Sequence, residues 1–126
     1  MTRIGLIGCG MWGRNLARNL AQLGVLACVA DRNHGQAAKF ASQFGSAALD
    51  VDTLITSQEI DGVVISTAAP SHDDLAIAAL AAGKHVYIEK PLSLSLAGAE
   101  AIACAVTAGR QVMVGHLIRY HAAFIE

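Results

Sequence analysis

Residues Arg3-Ile4-Gly5-Leu6-Ile7-Gly8-Cys9-Gly10-Met11-Trp12-Gly13 decide the fold. The run from Arg3 to Ile7 is short and mostly apolar, and it breaks at once into Gly8-x-Gly10-x-x-Gly13. A strand that passes through G-x-G-x-x-G into a helix has the form of a dinucleotide-binding turn. Gly8 permits a sharp turn, and Gly10 lets backbone approach a pyrophosphate closely. Gly13 lets the helix pack against the strand. The first free N–H groups of that helix then face the phosphates, with the helix dipole behind them. Glycines cluster in many turns, so the weight of this reading rests on the chain beyond Gly13.

Past that turn, strands and helices alternate regularly. Leu16, Leu20 and Leu23 recur at helical spacing from about Met11, and Gly24 ends that helix. Val25 to Ala30 reads as a strand stopping at Asp31. A helix over His34 to Phe44 places Ala37, Phe40, Ala41 and Phe44 on one face, with Gly45 as the stop. A weak strand is expected near Ala47 to Leu49, then a short helix through Thr56 capped by Asp50 or Asp52.

Gly62 to Ser66 is a β-branched strand, and Thr67 to Ser71 a loop in which Pro70 discourages an earlier helix start. Ser71 or Asp73 is expected to cap the next helix, which Gly83 ends. His85 to Ile88 is a strand, and Ser93 or Ser95 opens a helix to Ala108, stopped by Gly109. Gln111 to Val114 is the last strand. Strands alternating with helices imply βαβ units, so the expected fold is α/β, a Rossmann-type doubly wound parallel sheet.

Composition agrees. Apolar residues make up 54% and charged residues 15%. Strands buried on both faces, abundant Ala and Gly, or a surface that something else covers would each produce such a balance. The net charge is −1 and basic residues are scattered, so nothing points to a nucleic-acid or anionic-membrane surface. Asp73, Asp74, Lys84 and Glu100 interrupt the apolar stretches, so none reads as a membrane span. A charged, glycine-rich beginning is unlike a secretion signal. Cys9, Cys28 and Cys104 are odd in number and far apart, which fits a reducing cytoplasm and neither a disulfide framework nor a zinc site.

In a doubly wound sheet, ligands bind beyond the carboxyl ends of the strands. Polar residues otherwise scarce in this chain collect there: Asp31, Thr67 to His72, Glu89-Lys90-Pro91 and Gly115-His116. Asp31 follows Gly13 at close to the ~20-residue spacing of an acid that binds the adenosine ribose, which favours NAD over NADP. Arg32 beside it could stack on adenine or meet a phosphate, so NADP stays open.

Lys90 is the candidate for chemistry, because an ammonium beside a cofactor can stabilise a developing alkoxide. Glu89 could hold it in place, and the Lys90–Pro91 bond could be cis. A solvated pair of loop charges is the competing reading. His72 reads more as a packing or cap residue than as a catalyst. Trp12 either covers the cofactor or packs under the helix, and Cys9 could be acidified by the helix N-terminus. The five histidines form no metal constellation.

Three stretches carry a family resemblance: GCGMWG, TAAPSHDDLAIAALAAGKHVYIEKPLS and VGHLIRYHAAF. Together they resemble the N-terminal domain of the glucose–fructose oxidoreductase / inositol dehydrogenase / rhizopine-catabolism (Gfo/Idh/MocA) family over nearly the whole chain. The resemblance implies hydride transfer with NAD or NADP on a hydroxyl or carbonyl of a sugar, inositol or nucleotide-linked sugar. It implies that Lys90 works beside the nicotinamide and that the loop from Thr67 to His72 lines the cofactor. It further implies a second α+β domain that binds substrate, carries the catalytic histidine and forms much of a homo-oligomer interface.

Residues 1–120 are therefore expected to form the cofactor domain, and 121–126 the start of a connection to the second domain. Ala122 departs from the proline that many relatives carry after Arg-Tyr-His. The GHLIRYH run is most similar to the nucleotide-sugar 3-dehydrogenase branch. The expected cofactor contacts are Gly8, Gly10, Met11, Trp12, Gly13, Asp31, Arg32, Thr67, Ala68, Pro70, His72, Glu89 and Lys90, with no metal ligand. A stand-alone nucleotide-binding module, regulatory or dependent on a partner chain, is the alternative reading.

Overall fold

A computed structural model describes residues 1–125, so Glu126, the last residue of the expected 121–126 connection, lies outside them. The strands are β1 (Ile4–Ile7), β2 (Leu26–Ala30), β3 (Ala47–Ala48), β4 (Gly62–Ile65), β5 (His85–Ile88) and β6 (Val112–Val114). The helices between them are α1 (Met11–Gln22), α2 (His34–Phe44), α3 (Val51–Thr56), α4 (His72–Ala81) and α5 (Leu96–Ala105). Short 3-10 turns occupy Ala69–Ser71, Leu117–Tyr120 and Ala122–Phe124. All strand pairs are parallel, in the order β3-β2-β1-β4-β5-β6. The chain begins mid-sheet, winds out to β3, then crosses back to β4, so a crevice opens beyond the carboxyl ends of β1 and β4.

The central strands are apolar on both faces because both faces are packed. Leu6 and Val64 join Ala17, Phe40 and Ala41 on one side. Ile7, Val63 and Ile65 join Leu54, Leu80 and Ile102 on the other. Burying this surface at roughly 25 cal/mol per Å2 is the main drive to fold. On the first side, α1 and α2 pack on β1, β2 and β3. The half over β4 to β6 is left as a shallow apolar depression of about 180 Å3, lined by Ile4, Val64, Tyr87 and Met113.

Local signals placed most helix ends. Asp50 accepts the Thr53 N–H at 2.9 Å and caps α3, and Ser95 accepts the Gly98 N–H at 3.0 Å and caps α5. Gly45 ends α2 with φ 67°. Three expectations need correction. Ser71 occupies the N-cap position of α4 but its side chain makes no cap bond, and Asp73 lies inside the helix: Ser71 Oγ donates to the Ala68 carbonyl at 2.8 Å, and Asp73 Oδ2 accepts from Ser93 at 3.0 Å.

Pro70, expected to delay the helix, instead lies within the 3-10 turn that leads into it. Its fixed φ suits a first helical turn. Finally, α5 stops at Ala105 rather than Ala108. Val106 and Thr107 are both β-branched, and Val106 is already extended (φ −70°, ψ 120°). Gly109 serves the following turn.

Candidate cofactor-binding cleft

The glycine turn is wedged between the ends of β2 and β4. Gly8 has φ 104°, and its N–H donates to the Ala30 carbonyl at 2.9 Å. A side chain at Gly8 would strike the backbone of Ser66 and Thr67 within 2.8 Å. One at Gly13 would collide with the Gly8 carbonyl. Ser66 Oγ fastens that carbonyl by donating to it at 2.8 Å. At Gly10, by contrast, a Cβ would meet nothing within 4 Å. Gly10 is the N-cap of α1, with no side-chain cap and no acid in the first turn. The leading N–H groups of α1 therefore face open space beside Gly10, an anion site by geometry.

The Cys9 peptide is held at both ends. Its N–H donates to Asp31 Oδ2 at 2.8 Å, and its carbonyl accepts from Gln36 Nε2 at 3.0 Å. The Cys9 thiol itself is buried. Burial, with the Asp31 charge second, pushes it up to about 12, which reverses the expected acidification by the helix N-terminus. Asp31 Oδ1 accepts the Asn33 N–H at 2.7 Å. Asp31 thus organises the turn while lining a cavity of about 600 Å3, along with Gly8, Gly10 and Arg32. Thr67, Ala68 and Pro70 form another wall of this cavity, and Asp74 and Leu75 also line it.

A second cavity, of about 610 Å3, lies across the turn and shares Ser66 and Thr67 with the first. Trp12, Glu89, Lys90, Gly115 and His116 line it. Trp12 is 44% exposed here and is not packed under α1. The Met11 side chain points to solvent. The Lys90–Pro91 bond is cis. Glu89 does not pair with Lys90; among the described residues the one ion pair is Arg3–Glu59. Glu89 instead accepts the Tyr87 hydroxyl at 2.8 Å.

His72 lines neither cavity. It is buried behind both loops, Nδ1 at 2.7 Å from the Pro91 carbonyl and Nε2 at 3.0 Å from that of Thr67. It ties the loop after β4 to the loop after β5. Four residues in or behind the cleft lie outside the expected contact set. His116 belongs to the strand-end group that the sequence marks, and Ser66 stands directly after β4, so strand-end position alone could have flagged it. Gln36 and Tyr87 act through contacts between distant positions, and no local signal marks them.

Two cavities meeting at a glycine turn fit an elongated ligand with phosphates at its middle. Open space at Gly10 and uncapped α1 N–H groups suit the diphosphate. A carboxylate at one end suits ribose hydroxyls, and a lysine at the other suits a reacting oxygen. At a topological switch point this defines a dinucleotide-binding Rossmann domain. Residues 2–116 match the Gfo/Idh/MocA oxidoreductase family with its NAD-binding Rossmann fold, and the chain belongs to that family.

The chain is similar to the inositol 2-dehydrogenase of Acidothermus cellulolyticus, at 38% identity over 98% of this chain and 38% of that protein. The solved UDP-N-acetylglucosamine 3-dehydrogenase of Acidithiobacillus ferrooxidans superposes with a TM-score of 0.88 at 34% identity, covering 97% of this chain and 40% of the other. The myo-inositol dehydrogenase of Lactobacillus casei, solved with NAD(H) and myo-inositol, superposes with a TM-score of 0.88 at 26% identity, covering 97% and 38%. The chain therefore spans well under half the length of these relatives. No helix among the described residues is long and apolar enough to cross a membrane.

Proposed function

We propose that this chain is the cofactor domain of an NAD-dependent dehydrogenase acting on a hydroxyl or carbonyl carbon of a sugar, inositol or nucleotide-sugar. The observation that carries the reading is the opening of Lys90 into the cavity that continues from the glycine turn. NAD, when bound, supplies the hydride acceptor. Asp31 accepts hydrogen bonds from the adenosine ribose hydroxyls, and its charge repels a 2′-phosphate. Arg32, in the same cavity, is the one nearby group that would tolerate NADP. Gly8, Gly10 and Gly13 with the N–H groups of Met11 and Trp12 hold the diphosphate, and Thr67, Ala68 and Pro70 wall the adenosine half. Lys90 donates a hydrogen bond to the substrate oxygen and stabilises the alkoxide as hydride leaves.

Residues 1–120 form the domain, and the rest of the substrate pocket comes from a second domain such as the longer relatives have room for. Exposed Leu117, Ile118, Tyr120 and Phe124 support a surface covered in the working protein, a homo-oligomer. Three free cysteines support a cytoplasmic home. Titration with NADH tests the reading. Binding with a micromolar-class Kd is expected, and none at millimolar cofactor overturns it. In a protein carrying the second domain, Lys90→Ala should lower kcat by about two orders of magnitude or more while leaving NADH affinity nearly intact.

A further inference from the structure

Tyr87 lies outside the lining of the cleft yet reaches it through Glu89. The Tyr87 hydroxyl donates to Glu89 Oε1 at 2.8 Å. The end of β6 closes over the pair, since a Cβ at Gly115 would collide with that hydroxyl and come within 2.8 Å of Glu89 Oε1. Glu89 is 7% exposed and lines the cavity it shares with Trp12, Lys90 and His116. Its second oxygen has one contact among the described residues, the Lys90 backbone N–H at a long 3.3 Å. A buried carboxylate is costly unless its oxygens are hydrogen-bonded. Oε1 is taken by the Tyr87 hydroxyl, and Oε2, held only by that long bond on a residue that lines the cavity, has room for a further donor from it.

On the proposed NAD reading, the nicotinamide ring carries a single nitrogen donor group, the carboxamide NH2 with its two N–H bonds. We propose that Tyr87 is a positioning residue that pins Glu89 so that Oε2 accepts a hydrogen bond from the nicotinamide carboxamide. Recognition is then of amide against acid: a carboxylate on the pyridine ring would face the Glu89 charge without a proton between them. Tyr87 suits the task because burial, and then Glu89 itself, push its phenol well up. It stays a donor under all ordinary conditions.

Calorimetric titration of the chain with three probes tests this: NAD, nicotinic acid adenine dinucleotide with an acid in place of the amide, and ADP-ribose with no ring. The wild-type chain should bind NAD about tenfold or more tighter than the acid analogue, the scale of one hydrogen bond to a charged group. Glu89→Gln should shrink that preference about fivefold or more, and Tyr87→Phe should shrink it in the same direction. ADP-ribose should still bind both variants, which reports that they fold. If the NAD-to-acid preference of both variants stays within about twofold of wild type while ADP-ribose still binds, the inference falls. If the wild-type chain binds neither NAD nor ADP-ribose, the dinucleotide reading falls and takes the inference with it.

Discussion

The Cys9 N–H and the Asp31 carboxylate are 2.8 Å apart, so the acid at the end of β2 is also the anchor of the glycine turn. Its other oxygen holds Asn33 at the start of α2. Asp31→Ala should therefore do two things. It should weaken NADH binding about tenfold or more through the lost ribose contact, and lower stability by about 1–3 kcal/mol through two orphaned N–H groups. Asp31→Asn, which keeps oxygen for one of the two, should recover part of the stability and little of the affinity. Fluorescence titration and urea unfolding separate the two effects.

Gly10 and Gly13 should part company on alanine substitution. Gly13→Ala drives a methyl into the Gly8 carbonyl, a backbone atom that cannot swing away. A loss of about 1–3 kcal/mol or more is expected, read as a fall in the urea midpoint. Gly10→Ala meets open space and has an ordinary φ of −87°. Its stability should stay within about 0.5 kcal/mol of wild type. Its NADH affinity should drop sharply, because the methyl occupies the space where the diphosphate approaches.

Alkali should destabilise the fold through two thiols. Cys9 is pushed up to about 12 and Cys28 to about 11, both by burial, from an ordinary 9.0. Above pH 9 the unfolded chain sheds these protons while the folded chain retains them, so stability falls as pH rises from about 9 toward 11 and is fully present below 9. Replacing both residues with alanine should flatten the fall of the urea midpoint between pH 8 and pH 10. At pH 8 a thiol reagent should label Cys104, which is exposed, and reach Cys9 and Cys28 only in denaturant.

Lys84 is 4% exposed, and its Nζ donates to the carbonyls of Ser57 at 2.5 Å and Ile60 at 2.8 Å, just past the end of α3. Lys84→Met keeps the aliphatic stem and removes both bonds. A loss of about 2–4 kcal/mol in urea unfolding is expected, with NADH affinity unchanged where the chain is folded. In the sequence this lysine reads only as a charge interrupting an apolar stretch.

The alternation of strand and helix was legible because it is written locally. Periodicity shows in windows of about a dozen residues, and stops such as Gly24, Gly45 and Gly83 mark themselves. The end of α5 is not legible locally because Gly109, four residues past Ala105, is an equally good turn glycine, and the weak helix preference of Val106 and Thr107 decides the matter. Ser71 turns back onto Thr67, four residues earlier, and Ser93 donates to the distant Asp73, so neither side chain caps the helix that follows it.

By itself, the sequence determined the doubly wound class, the phosphate-binding turn and the strand ends at which Asp31, Thr67 and Lys90 would gather. Those come from spacing along one chain and from the rule that parallel strands point their carboxyl ends one way. Only the tertiary structure decided which atoms do what there. Asp31 anchors the turn while lining the cavity, His72 is sealed behind the cleft, and Glu89 answers to Tyr87 rather than to Lys90. Hydrogen bonds are settled within a few tenths of an ångström. Such distances between residues far apart in sequence depend on sheet register and packing, which no local pattern encodes.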